Sequence, residues 1–171
     1  MTRLAIIHGP QCPGHCRQRG LAMVEFTIAA PLLLLLLYAI VEFGNVFYQH
    51  ALLADSVRNA ARYLASNAIT DGSGVVNIST ATGATQNLVV YGNTCGNTCP
   101  GGGTANPLLP GLAAGQVTVT TQKDPDGSTD VIVSVAYPYQ SLFGGSIPNF
   151  VATGSVNTAF TLNVFTSMHA L

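Results

Sequence analysis

Leu21 to Val41 is an apolar run of 21 residues carrying a single charge, Glu25. As a helix rising about 1.5 Å per residue it reaches roughly 30 Å, the hydrocarbon thickness of a bilayer. The apolar core of a secretory signal is shorter, about 7–15 residues, and a small-x-small cleavage site follows it closely. Here the nearest such site, Ser66-Asn67-Ala68, lies far downstream. The run is therefore expected to be retained as a membrane anchor. Pro31 sits inside it, a residue that membrane helices tolerate and that marks an expected kink.

The flanks of the run set its orientation. Residues 1–20 carry Arg3, Arg17 and Arg19 and no acid, a charge of +3, whereas the remainder carries −4. A basic segment ahead of an apolar helix stays on the cytoplasmic side, which places the rest of the chain across the membrane. Gly9-Pro10 and Pro13-Gly14 break any helix in the leader. Cys12, His15 and Cys16 offer three zinc-type ligands within five residues and no fourth, so they read as part of an unstructured leader. Beyond the run, Glu42, Asn45, Tyr48 and Gln49 mark the exit into the outer interface. Tyr38, Phe43, Phe47 and Tyr48 supply an aromatic belt.

The helix is expected to continue. Val46, His50, Leu53, Val57, Ala60 and Leu64 recur at helical spacing, with Gln49, Asp55, Asn59 and Arg62 off that stripe. Ala51, Ala54, Ala61 and Ala65 add a face of small residues. His50 reads as an interfacial polar contact. Residues 1–20 then form a leader, 21–48 the membrane helix, 49–66 its amphipathic continuation, and 67–171 a domain outside the cytoplasm.

That domain is poor in charge. Only 8% of the 171 residues are charged, against about 25% in a typical soluble domain. Gly, Thr, Ser and Asn are abundant, as in extracytoplasmic β-domains. Strict alternation predicts antiparallel strands near 116–121, 131–139 and 155–166, the first two joined by a hairpin turn containing Asp126-Gly127. Ser79–Tyr91 fits a short helix ending at Gly92, with a strand as the alternative because of its Thr and Val content. The expected fold class is α+β: a long N-terminal helix, lipid-embedded then amphipathic, packed on a small antiparallel sheet.

Two local groups bear on chemistry. Cys95 and Cys99 lie in a loop that repeats Gly-Asn-Thr-Cys, close enough for a turn to bridge them. On the oxidising side of a membrane a disulfide is the favoured reading. The spacing is not the C-x2-C of redox motifs and zinc knuckles. Asp124, Asp126 and Asp130 around Gly127 have the style of a calcium loop, but the twelve-residue pattern with its terminal Glu is absent, and a plain hairpin turn is favoured.

The segments Arg17-Gln-Arg-Gly-Leu-Ala-Met-Val-Glu-Phe26, Pro31 with its Leu run, Glu42-Phe-Gly44 and Asp55-Ser-Val-Arg-Asn-Ala-Ala-Arg-Tyr63 together resemble the TadE-like family. These are minor pseudopilins of the tight-adherence (Flp pilus) assembly system. Asn87–Gly92 and Val133–Tyr139 resemble later segments of the family, whereas the end, His169-Ala-Leu171, lacks the basic residue of its last strand. The resemblance implies a single-pass protein of the bacterial inner membrane with its C-terminal domain in the periplasm. It implies cleavage after Gly20 by a prepilin peptidase, so that Leu21 becomes the N-terminus and Glu25 the fifth residue. That glutamate would pair with the N-terminal amine of a neighbouring subunit. The implied partners are the peptidase, other pilins and pseudopilins, the inner-membrane assembly platform and the lipid bilayer. Physical chemistry points the same way: an acid inside an apolar span is costly unless a cation meets it.

Other functions find little support. No Gly-x-Ser-x-Gly elbow and no Gly-x4-Gly-Lys phosphate loop occurs, so neither an enzyme nor a cofactor is expected. Lys and Arg are too few and too scattered for nucleic-acid binding. The competing non-enzymatic reading is an uncleaved single-pass envelope protein with a binding β-domain.

Overall fold

A computed structural model describes residues 18–69, 76–100, 104–144, 146–148, 155–157 and 159–170. The leader cluster of Cys12, His15 and Cys16 lies outside the described residues. The chain divides into two units, Met1–Val41 and Glu42–Leu171.

Helix α1, Gln18–Asn67, is a single element of 50 residues with Pro31 inside it. In the first unit its apolar side chains are solvent-facing: Leu21, Phe26, Leu32, Leu34 and Leu37 are each at least 60% exposed. The best 18-residue window has a mean hydropathy of 2.3 and none of it is buried, as for a candidate membrane span. Among the described residues no core covers this stretch, and a lipid bilayer would solvate such a hydrophobic surface.

In the second unit the same helix is a core element. Leu53, Val57, Ala60, Ala61, Leu64 and Ala65 are buried in one cluster with Val89 and Val90 and with the inward face of the sheet. Small residues at 60, 61 and 65 allow close packing there. Two residues change sides relative to the sequence reading. His50, expected on the stripe, is exposed, and Gln49, expected off it, is only 5% exposed. The buried face continues back from Leu53 by four to Gln49, and Glu42 lies seven residues, two turns, before that.

Helix α2 spans Thr82–Tyr91. Its threonines, which left a strand open, are accommodated because the hydroxyls of Thr82 and Thr85 donate to the carbonyls of Ile78 and Ala81, four residues back. Gly92 closes the helix in the left-handed conformation at φ 71°, its N–H donating to Leu88.

The main sheet has three antiparallel strands, β1 Val117–Lys123, β2 Thr129–Pro138 and β5 Thr161–His169, in the order β1-β2-β5. Val131, Val133, Val135 and Tyr137 alternate inward from the central strand and are buried. The β1–β2 turn is closed by Gly127, at φ 88°, whose N–H donates to Asp124. A glycine suits that left-handed position because it has no Cβ. The strand expected over 155–166 is divided. Ser155–Asn157 (β4) pairs with Ser146–Pro148 (β3) in a separate two-stranded sheet, and β5 runs on to His169. Alternation reports which face a residue takes and not which strand it pairs with. The β2–β5 register puts Asp130 opposite His169, and their side chains meet at 3.2 Å.

Candidate functional site

Two regions of α1 bear on function. The first is its N-terminal end. Gly20, Leu21 and Glu25 are all exposed, Leu21 at 75%. A Cβ added at Gly20 would meet nothing within 4 Å, so no packing contact among the described residues requires a glycine there. Among the described residues Glu25 forms no ion pair; the salt bridges there are Arg58–Asp55 and His169–Asp130. Thr27 donates its hydroxyl back to the Met23 carbonyl at 2.7 Å. Pro31, six residues beyond Glu25, is exposed.

The second region is the start of the folded unit, and sequence reasoning missed its cohesion. Asn45 and Gln49 lie one helical turn apart and both reach the segment that follows β2. Asn45 Nδ2 donates to the Tyr139 hydroxyl at 3.0 Å and to the Gln140 carbonyl at 3.0 Å. Gln49 Nε2 donates to the same carbonyl at 2.8 Å, and its Oε1 accepts from the Gln140 N–H at 3.4 Å. The Tyr139 hydroxyl reaches the Glu42 carbonyl at 3.4 Å, and its ring stacks on Phe160 with centroids 4.8 Å apart. These contacts clamp the 139–140 backbone onto α1. Glu42 is 9% exposed, and both its carboxylate oxygens are buried without a hydrogen-bond partner. It is not the solvated interface acid that its position in the sequence suggested. Stepping the buried stripe back from Leu53 through Gln49 to Glu42 was the signal available; the polarity of both residues hid it.

The remaining residues singled out in the sequence are separate from these regions. Cys95 and Cys99 are joined in a disulfide across a loop of sequence separation 4. Asp124, Asp126 and Asp130 do not converge on a common point: among the described residues no group of three or more His, Cys, Asp or Glu side chains could hold a metal. Asp126 instead accepts from the Ser128 hydroxyl at 2.6 Å and from its N–H at 3.1 Å. These bonds, the hydroxyl's first, hold the Asp126 carboxyl below the ordinary carboxylate range. Asp130 is engaged by His169.

The exposed N-terminal end and the first turns of the folded unit fall within one stretch of known character. The TadE-like protein family matches residues 20–62. Over that stretch the chain is similar to TadE-like proteins. No curated protein and no solved structure matches it. The TadE-like segment begins at Gly20 and ends at Arg62, an exposed residue between the buried Ala61 and Leu64. It therefore contains the candidate span, the Glu42–Gln49 clamp and most of the core face of α1, while the sheet lies beyond it.

Proposed function

We propose that this TadE-like protein is a membrane-anchored minor pseudopilin, a structural component of pilus assembly in the tight-adherence system. In this reading a prepilin peptidase cuts after Gly20 on the cytoplasmic side of the bacterial inner membrane. The new N-terminus is Leu21, and the sheet domain stands in the periplasm. The partners are other pilins and pseudopilins and the assembly platform.

The observation that carries the reading is the combination at the start of the matched segment. Among the described residues nothing packs where a Cβ at Gly20 would sit, and Glu25, five positions on, is an exposed acid on an apolar helix with no ion-pair partner there. In lipid such a carboxylate is costly until a cation meets it. Cleavage creates one, the α-amine of Leu21, and a neighbouring helix staggered by about one turn presents that amine to Glu25.

Two substitutions test this. Gly20→Asp is expected to leave the leader attached, giving a longer protein on immunoblots of cells that hold an active prepilin peptidase. Glu25→Ala is expected to be cleaved and inserted normally yet fail in pilus assembly. Normal pili from the Glu25→Ala strain would rule out the pairing role.

A further inference from the structure

We infer that a cavity in the folded unit, between α1 and the end of α2, receives an arginine side chain of a partner protein. The arginine stem lies against Leu52, Leu88 and Leu108, and its guanidinium meets Asp55 and Asn59. The inference goes beyond the proposal above and rests on neither the membrane anchor nor cleavage. Every residue it uses belongs to the unit Glu42–Leu171.

The cavity has a volume of about 230 Å³. Pockets that take a whole drug-sized ligand run to about 300–1,000 Å³, so this one has room for a single side chain. Its apolar walls come from three places: Leu52 on α1, Leu88 on α2 and Leu108 beyond it. Backbone bonds hold those walls apart. The Leu108 N–H donates to the Val90 carbonyl at 2.7 Å, and the Gly92 N–H to the Leu88 carbonyl at 3.0 Å. Gly92 borders the cavity, and a Cβ there would stand 3.6 Å from Leu108 Cδ2. The missing side chain keeps that flank open.

The polar groups decide what fills the space. Asp55, Ser56 and Asn59, all on α1, line one side. Ser56 is 6% exposed and donates its hydroxyl hydrogen to the Leu53 carbonyl at 2.9 Å, which leaves it only lone pairs to offer. Asp55, ionised, is an acceptor alone. Its contact with Arg58 is 3.9 Å long between two exposed side chains, beyond hydrogen-bond reach, and Arg58 does not line the cavity. Among the described residues no hydrogen bond occupies the Asn59 side chain, whose amide oxygen adds a further acceptor. The charge that lines the cavity is therefore negative, and its polar side is rich in unused acceptors. An apolar occupant would shut water out and leave those acceptors without donors. An acidic one would meet Asp55 as a like charge. Arginine suits both halves, with an aliphatic stem for the leucines and a fork of N–H donors that carries no acceptor of its own.

The test is an NMR titration of the full chain in detergent micelles, with N-acetyl-arginine amide, N-acetyl-leucine amide and N-acetyl-glutamate amide as probes. The methyl signals of Leu52, Leu88 and Leu108 and the side-chain amide of Asn59 report on the cavity, and the methyls of the buried Leu64 report on the core. The arginine probe is expected to shift the cavity signals saturably while Leu64 stays fixed, and the other two probes to leave them in place. Asp55→Asn is expected to keep the Leu64 signals unchanged and to weaken arginine binding about threefold, as for an exposed ion pair. Added salt should weaken binding to the unsubstituted chain and spare the variant. Equal shifts with the leucine probe would make the occupant apolar and overturn the inference. So would an arginine affinity that Asp55→Asn does not change, or cavity signals that stay fixed up to the solubility of the arginine probe.

Discussion

The same substitution made twice on one helix separates its two roles. Leu36 and Leu64 are both in α1, but Leu36 is 60% exposed in the candidate span and Leu64 is fully buried in the core of the folded unit. Truncating Leu64 to Ala removes buried methyl groups and leaves a cavity in the core cluster that also holds Ala60, Ala61, Val89 and the buried residues of β2. A well-packed site of this kind relaxes little, and the loss is about 3 kcal/mol. For a unit the size of residues 42–171 that lowers Tm by about 10 °C. Leu36→Ala takes apolar area from lipid and none from the core, so the folded unit should melt within about 2 °C of the unsubstituted protein. The assay is thermal unfolding of the full-length protein in detergent micelles, followed by the tyrosine near-ultraviolet circular dichroism. Equal losses for the two variants, or a larger one for Leu36→Ala, would refute the division of α1 into a lipid-facing and a core-facing half.

Three further outcomes follow from individual contacts. Glu42→Met replaces two buried oxygens that have no hydrogen-bond partner with an apolar side chain of similar shape, and is expected to raise stability by about 1–3 kcal/mol, read by the same melting assay. Converting both Cys95 and Cys99 to Ser opens a short loop of sequence separation 4 and should cost about 2 kcal/mol by the chain-entropy relation, measured by denaturant unfolding under non-reducing conditions. Asp126 has its folded pKa lowered by Ser128, so its contribution to stability is complete above the ordinary value of about 3.9 and is lost as pH falls through the lowered folded value. Ser128→Ala should return the Asp126 carboxyl toward its ordinary titration in a pH series of NMR spectra, and an unchanged midpoint would remove Ser128 as the cause.

Much of this architecture is legible in the sequence because two periodicities carry it. The length of Leu21–Val41 and the helical stripe from Leu53 to Leu64 announce α1. Strict alternation announces β1, β2 and the first part of β5. What stays hidden is what periodicity does not encode. Gln49 and Glu42 are buried although polar, because Gln49 binds the backbone of Gln140 and the clamp covers the helix there. Whether Thr82–Tyr91 is helix or strand is decided by threonine hydroxyls finding carbonyls four residues back. Ser155–Asn157 leaves the main sheet for a partner strand of its own at Ser146–Pro148, a matter of which strand lies alongside. The N-terminal site differs again: Gly20 and Glu25 are legible as a pair in sequence and receive no packing contact and no ion pair among the described residues.

The mature N-terminus is the measurement that reaches the proposed function most directly. Mass spectrometry of the protein from cells with an active prepilin peptidase is expected to find a chain beginning at Leu21, and from cells lacking the peptidase a chain that still carries residues 1–20. A chain that keeps Met1–Gly20 in both would contradict processing and leave an uncleaved single-pass membrane protein in its place.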